Sequence, residues 1–398
     1  MQEAQERVLA HARRLPAESV PVAEAAGRVT AEDACAVVDL PPFASSAMDG
    51  YAVRARDLPG RLPVVAQIAA GRPALRALAA GEAMAISTGG VVPDGADAVL
   101  PLEYVVHHDN SVEVVEIEAG KGVEPGAHVR PRGGDAVAGD VVVEGGVRLG
   151  AAQLGALAAA GHASVSCARR PRVAVLATGT ELVRLGEALR PGQIYESNGL
   201  MLAAALAATG ADIELLPVVA DDESAHRQAL ERGLAADVLV TSGGVSVGPH
   251  DLVRKIEAEL GVEEVFWRVA IKPGKPVSFG VRGETLVFGL PGNPVSALVG
   301  CELFAKPALR ALQGLRDPLP RFEVGRLAAP LRQNAARDEL VRARSRLDPD
   351  GVVLEPLSGQ ESHMIVRSAA ANALVHVPRG DGDLAAGAIV SWLRLGAA

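Results

Sequence analysis

The feature that most constrains the fold is an alternation of strand-like and helix-like stretches between residues 172 and about 315, with glycine-rich loops set where apolar runs end. The runs DVLVTS (237–242), VFWRVAI (265–271) and TLVFGL (285–290) are short, β-branched and bounded by turn residues, so each reads as a buried strand. They lead into TSGGVSVGPHD (241–251), IKPGKP (271–276) and LPGNPVS (290–296). A fourth junction joins VAVLAT (173–178) to GTEL (179–182). Helices are expected at 198–209, 223–235, 251–260 and 294–313, with Ser197 and Asp222 as N-caps and Gly210 as a stop. Such alternation implies βαβ units and a mostly parallel sheet. The loops after parallel strands meet at one edge, where ligands bind.

The flanking regions follow other patterns. Residues 3–14 read as a helix, residues 51–140 as short strands punctuated by Gly and Pro, and Ala151–Ala160 as a helix stopped by Gly161. Residues 318–398 hold the runs FEVGRLA, GVVLEPL, HMIVRSAA, ALVHVP and AIVSWLRL, expected as strands of an all-β barrel or sandwich. The expected fold class is therefore a multidomain α/β plus β chain. A linker or dimerisation unit takes residues 1–50 with 141–170, an inserted β-rich module 51–140, the α/β unit 171–317 and a β-barrel 318–398.

Composition narrows the function. A net charge of −9 argues against a nucleic-acid or membrane-surface partner, so an anionic ligand needs a local basic pocket. Cys35, Cys167 and Cys301 form no C-x-x-C pair, which speaks against zinc and disulfides and for a reducing cytoplasm. No stretch approaches a membrane span. The chain has five lysines against 34 arginines, yet Lys272 and Lys275 stand together in KPGK. A compact, hydrated point charge is the property lysine has and arginine lacks.

The loops suggest anion chemistry. In GGVSVG, Gly243, Gly244 and the hydroxyls of Ser242 and Ser246 suit a phosphate at a helix N-terminus. Asp251 would repel that phosphate unless a cation lay between them; alone it is equally a helix cap. Pro291, Pro294 and Ser296 place a second helix entrance at the same edge. Glu181 and Asp221 add carboxylates at two further strand ends, the set expected for Mg²⁺-assisted phosphoryl chemistry. Upstream, Asp49 in SSAMDGYA, Thr88 in STGG and Asp135 in RPRGGD each sit in a turn that would pass for surface structure in isolation.

These segments, in this order, resemble the molybdopterin molybdenumtransferase family, the MoeA and gephyrin E-domain type. The resemblance rests on SSAMDGYA, STGG with PDGADAV, RPRGGD, LATGTEL, TSGGVSVGPHD, IKPGKP and LPGNPVSA and spans nearly the whole chain. It implies an elongated homodimer of four-domain subunits whose α/β unit is like that of the molybdopterin adenylyltransferases. It also implies a cleft shared between that unit of one subunit and the small β-module of the other. The implied reaction joins adenylylated molybdopterin and molybdate, with Mg²⁺, to give molybdenum cofactor and AMP.

On the matching positions, Asp49, Thr88 and Asp135 approach the cleft from the second subunit. Glu181, Asp221 and Asp251 are its acidic and metal-side residues, and Lys272 and Lys275 its basic ones. Pro291 and Pro294 form the LPGNP loop, with Ser296 beside it. Two departures stand out: Thr180 replaces the family's usual Asp or Asn, and Gly90-Val-Val-Pro93 keeps only the second proline of its loop. A molybdopterin adenylyltransferase and molybdoenzyme apoproteins or their chaperones are the implied partners. A gephyrin-type scaffold, or an enzyme on another pterin or nucleotide, is the alternative.

Overall fold

The computed structural model describes residues 1–108, 111–114, 123–219, 222–244 and 252–396. Asp221, Ser246 and Asp251 lie outside the described residues.

A helix, Gln2–His11, opens the chain. The strand Ala17–Pro21 then pairs antiparallel with Ser164–Ala168, and the helix Ala151–Ala159 packs with them over Val20, Leu149, Leu157 and Val165. Between these segments runs a six-stranded sheet in the order Ala98–Pro101, Gly50–Val53, Ala83–Ile86, Arg61–Ile68, Ser111–Val114, Val105–His108. Its strands obey a period of two: Tyr51, Val53 and Leu100 enter one core, Ala52, Met84 and Val99 another.

The central sheet has the order Asp212–Leu215, Arg172–Ala177, Val238–Ser242, Thr285–Leu290, Ser278–Arg282, Glu263–Trp267. The first four strands are parallel, and the last two pairings are antiparallel, so that Ser278–Arg282 alone runs against the rest. Both faces are covered. Val173, Val175, Val240 and Phe288 pack with helix Asn198–Ala207 on one side; Ala174, Leu176, Leu239 and Val287 meet helices Glu223–Gly233 and Leu252–Glu259 on the other. Alternate residues of one strand thus serve opposite layers, which is why these runs are apolar without interruption.

Four readings of this half of the chain need correction. VFWRVAI is not one strand. Arg268 takes a left-handed φ of +73° and turns the chain out of the sheet after Trp267, so that Ile271–Lys272 pairs instead with Asp338–Glu339. Residues 294–313 are helical almost throughout, as expected, but not uniformly α-helical: Pro294–Gly300 and Lys306–Leu312 flank a π-helical turn, Cys301–Ala305. The buried Gln5 amide donates into that wider turn at Leu303 O (3.0 Å). Ser197 makes no cap bond; the Glu196 carboxylate accepts the Gly199 N–H at 2.7 Å in its place. Asp222, by contrast, caps its helix through Ala225 N–H (2.8 Å).

The fourth correction concerns HMIVRSAA, which forms a turn and a short helix, Ile365–Ser368, rather than a strand. The Arg342 side chain, 1% exposed, gathers this segment. Its guanidinium donates to the carbonyls of Gly359 (2.7 Å), Glu361 (3.1 Å) and Met364 (2.6 Å) and to Ser368 Oγ (3.1 Å). Carbonyls that converge on one fork of donors are not directed sideways at a neighbouring strand, as a ladder requires. The remaining C-terminal strands, in the order Asp338–Asp348, Gly351–Pro356, Phe322–Leu327, Ile389–Arg394, Ala373–Val377, close back on the first to make a five-stranded barrel around Leu354, Val375 and Trp392.

Candidate functional site

Ala177, Ser242 and Leu290 stand side by side in register at the C-terminal ends of three parallel strands. The chain leaves strand 172–177 toward one edge of the sheet and strand 238–242 toward the other, so the order switches between them and a crevice opens there. A cleft of about 720 Å³ occupies this place, lined by Thr178, Gly179, Glu181, Ser242, Gly243, Gly244 and the loop Pro291–Pro294. The segment Ile194–Asn198 and, from the barrel half of the chain, His363 and Ile365 complete its walls.

The loops are locked to each other. Thr178 N–H donates to Ser242 O (3.0 Å) and Gly243 N–H to Leu290 O (3.1 Å). Asn198 Nδ2 donates to both Ser242 Oγ (2.9 Å) and Gly292 O (2.7 Å), tying the second loop to the third. Gly243 and Gly244 have φ of +99° and +66°. A Cβ at Gly243 would stand 2.5 Å from Thr178 O, and one at Gly244 2.5 Å from Val253 Cγ2, so both positions demand glycine. Gly243 and Gly244 are thus pressed against Thr178 and Val253 at the cleft wall.

Of the residues singled out in the sequence, Glu181, Ser242, Gly243, Gly244, Pro291 and Pro294 line this cleft together. The Glu181 carboxylate is exposed and makes no hydrogen bond or ion pair with any described residue. Ser296 is buried in its helix and is not among the lining residues. Lys272 and Lys275 also lie off the lining, although Pro276 of the same turn belongs to it. Lys272 Nζ is paired with Glu339 Oε1 of the barrel at 2.9 Å.

Asp49 and Thr88 meet each other instead, on the N-terminal sheet: Asp49 Oδ1 accepts from Thr88 N–H (2.7 Å) and from Thr88 Oγ1 (3.1 Å). Asp135 is exposed in the neighbouring loop, its N–H donating to Leu40 O (2.8 Å). None of these three lines the cleft of this chain. Asn198, Glu196 and His363 escaped the sequence reading. Asn198 and Glu196 looked like ordinary helix-start residues, and His363 lay in a run read as a strand.

The donor set suits a hard cation only in part. Mg²⁺ takes one or two carboxylates, keeps several waters and leans on substrate phosphates. Glu181 and the Ser242 hydroxyl offer oxygens of that type, but the described residues contain no cluster of three or more His, Cys, Asp or Glu that could hold a metal ion unaided. Among the described residues no helix is long and apolar enough to cross a membrane.

Comparison with known proteins agrees with this architecture along the whole chain. Residues 1–161 match the family model described as the MoeA N-terminal region (domain I and II). Residues 174–311 match the probable molybdopterin binding domain, and 324–395 the MoeA C-terminal region (domain IV). Molybdopterin molybdenumtransferase 2 of Mycobacterium tuberculosis is 38% identical over 384 residues, covering 93% of each chain. Molybdopterin molybdenumtransferase of Haemophilus influenzae is 34% identical, covering 94% of this chain and 93% of its own. The crystal structure of a molybdopterin biosynthesis MoeA protein from Pyrococcus horikosii superposes with a TM-score of 0.84 at 33% identity, over 99% of this chain and 98% of that one. With its three-loop cleft, its closed barrel and relatives of this closeness over nearly its full length, the chain belongs to the MoeA family of molybdopterin molybdenumtransferases.

Proposed function

We propose that this chain acts in molybdenum cofactor biosynthesis as a transferase that inserts molybdate into adenylylated molybdopterin, releasing AMP. The observation that carries the reading is the cleft at the sheet's switch point, in a chain whose relatives bear that enzyme name along nearly its whole length. Both substrates are rich in anionic oxygens. Three strand-end loops meet at one place and are already fixed to each other before a ligand arrives, the preorganisation that favours stabilising developing charge. The chain's own work is then to hold the two substrates in contact, a contribution that alone is worth orders of magnitude. Lys275, exposed on the turn that ends at the cleft-lining Pro276, is placed to offset negative charge at the rim. We assign Glu181, with Asp221 and Asp251, to hold Mg²⁺, which when bound would polarise the phosphate anhydride of the adenylylated substrate.

Homodimerisation completes the reading. Asp49, Thr88 and Asp135 lie away from the cleft of their own chain, on the unit of residues 51–140 and its junction with 1–50. Around them Val37, Val38, Phe43, Val137 and Val141 are exposed, and Leu185, Leu189, Ile194, Tyr195 and Leu200 are exposed on the segment that walls the cleft. Two such apolar patches are what a shared interface requires. A second copy would then bring the Asp49–Thr88 pair and Asp135 to this cleft. Its compartment is the cytoplasm, and its partners are the adenylyltransferase that makes its substrate and the apoproteins or chaperones that take its product.

The test is direct. Purified protein given adenylylated molybdopterin, molybdate and Mg²⁺ should release AMP and yield cofactor that activates an apo-molybdoenzyme. AMP release that ignores molybdate, or none at all, would count against the reading. Omission of Mg²⁺ should stop turnover, and light scattering at micromolar concentration should give a dimer.

A further inference from the structure

Strand 373–377 of the barrel faces two ways. Ala373, Val375 and Val377 point into the barrel core, whereas Leu374 packs into the central cluster with Val175 and Phe288. His376, two residues on, falls on the same outward face as Leu374. It thus sits at the seam where the barrel meets the central unit and the first helix, among Leu340, Leu374, Leu393 and Phe322. The imidazole lies 5.8 Å from the Phe322 ring, centroid to centroid. Its Nε2 is buried and has no hydrogen-bond partner among the described residues.

Few charges surround the ring. On the neighbouring strand Leu340 is its register partner, and Asp338, two residues away, shares that face. One Asp338 oxygen, Oδ1, already accepts the Arg379 N–H (3.0 Å). The first helix brings the amine of Met1, a residue packed against the same cluster, while Glu3 in its first turn is paired with Arg7. Strands 322–327 and 389–394 present Phe322 and Ser391, which carry no charge. From the central unit, Lys272 is paired with Glu339, on the alternate face of its strand. Burial lowers the His376 pKa below the usual histidine value; Asp338 opposes that shift and the Met1 amine adds to it. A neutral ring suits such a seam. A protonated one is a buried cation whose Nε2–H has no acceptor, a state relieved only when the seam opens and water reaches the ring.

We propose that His376 is a proton-sensitive latch between the barrel and the central unit: neutral, it leaves the seam closed, and protonated, it releases the barrel. The effect reaches the cleft, because the barrel half of the chain supplies one of its walls at His363 and Ile365. Acid therefore loosens that wall and leaves the strands beneath the glycine loops in place. The sign follows from the lowered folded-state pKa: the open form binds the proton more tightly than the closed one. Closure is at full strength above the ordinary histidine value of about 6.5 and is lost as pH falls from there toward the folded value.

The experiment is hydrogen exchange between about pH 7.5 and 5.5, either side of the ordinary histidine value, corrected for the intrinsic pH dependence of amide exchange. Wild type is compared with His376→Leu and His376→Gln, neither of which can take up the proton; should the leucine variant not fold, the glutamine variant carries the comparison. One proton shifts an opening equilibrium by at most about tenfold per pH unit. In wild type, amides of 338–340, 363–365 and 373–377 should open on the order of fivefold more at the acid end, while strand 172–177 keeps its protection. Both variants should lack that step. A second measurement does not depend on exchange: in a proton NMR titration the His376 ring signal, identified by its absence in His376→Gln, should titrate below about 6.5. An acid step of equal size in the variants, or a ring that titrates at or above that value, would overturn the latch. So would a step shared by strand 172–177, since that is unfolding of the whole molecule and not release of the barrel.

Discussion

The two ends of the central sheet belong to the same strands and are built on opposite rules. At the N-terminal end the charges beside strand 238–242 are paired. Asp237, just before strand 238–242, accepts both guanidinium nitrogens of Arg169 (2.8 and 2.9 Å) and the Arg172 N–H (2.8 Å). Its backbone joins strands 172–177 and 285–290 through Arg172 O and Leu286 N–H (both 3.0 Å). Burial works to raise the Asp237 pKa, but the bonds from Arg169 and the Arg172 N–H outweigh it and hold the carboxyl below its usual value. At the C-terminal end Glu181 stands without a partner among the described residues, and two successive glycines occupy left-handed conformations. One end spends its polar groups on the fold; the other withholds them for a ligand. An unpaired carboxylate costs little in water and is worth a great deal to a bound cation or substrate.

The contrast can be broken in several ways. The largest effect should come from Glu181→Ala: turnover falls by about a thousandfold, roughly 4 kcal/mol in the barrier, while the melting temperature stays put. A destabilised but fully active Glu181→Ala protein would invert the comparison. Next is Asp237→Ala, which leaves Arg169 and the Arg172 N–H without their acceptor. Urea unfolding should show a loss of about 2–3 kcal/mol, below the range for a fully buried pair because Arg169 is one-third exposed, and the folded fraction should keep wild-type kcat. Gly243→Ala belongs to both categories: the left-handed backbone and the clash with Thr178 O should cost about 2 kcal/mol and also narrow the cleft, so stability and substrate affinity fall together.

Smaller effects sharpen the picture. Asn198→Ala removes the tie between Ser242 and Gly292; about 1 kcal/mol, or roughly fivefold in half-saturation, is expected, seen in kinetics rather than in melting. The smallest is a pH effect. Because the folded-state pKa of Asp237 is depressed, its stabilisation is fully present above the unfolded value of about 3.9 and is lost as pH falls through the folded value. Acid titration of stability should therefore be flatter below pH 4 in Asp237→Asn than in wild type.

Legibility in the sequence followed the same division. Strands 172–177, 238–242 and 285–290 announce themselves because burial on both faces leaves an uninterrupted apolar signature. Their loops announce themselves because left-handed geometry leaves glycine. What failed was anything decided across the chain. Arg268 breaks a run that is apolar on both sides of it, and only the barrel strand waiting at Asp338–Glu339 explains where Ile271–Lys272 goes. The segment 363–370 has strand composition, yet Arg342, some twenty residues earlier, coils it. The π-helical turn at Cys301–Ala305 answers to Gln5, 298 residues before Leu303. Glu181 was found by its loop; His363 could not be, because nothing near it in sequence says that it reaches another unit's cleft.

The core against which the central helices pack is not filled by the central unit alone. Val8 of the first helix and Leu340, Leu374 and Leu393 of the barrel pack into the same cluster as Val175 and Phe288. That arrangement has a consequence for the chain's birth. At about 5–20 residues per second, on the order of 20–80 s separate the emergence of Val8 from that of Leu393. In the last part of that interval, after Leu312 has emerged and before Leu393 has, the α/β layer is exposed with part of its oily face uncovered, and the glycine loops of the cleft rest on an unfinished foundation. Synthesis speed and chaperone supply thus bear on how many of these molecules ever acquire a working cleft, and a slower ribosome lengthens the time at risk.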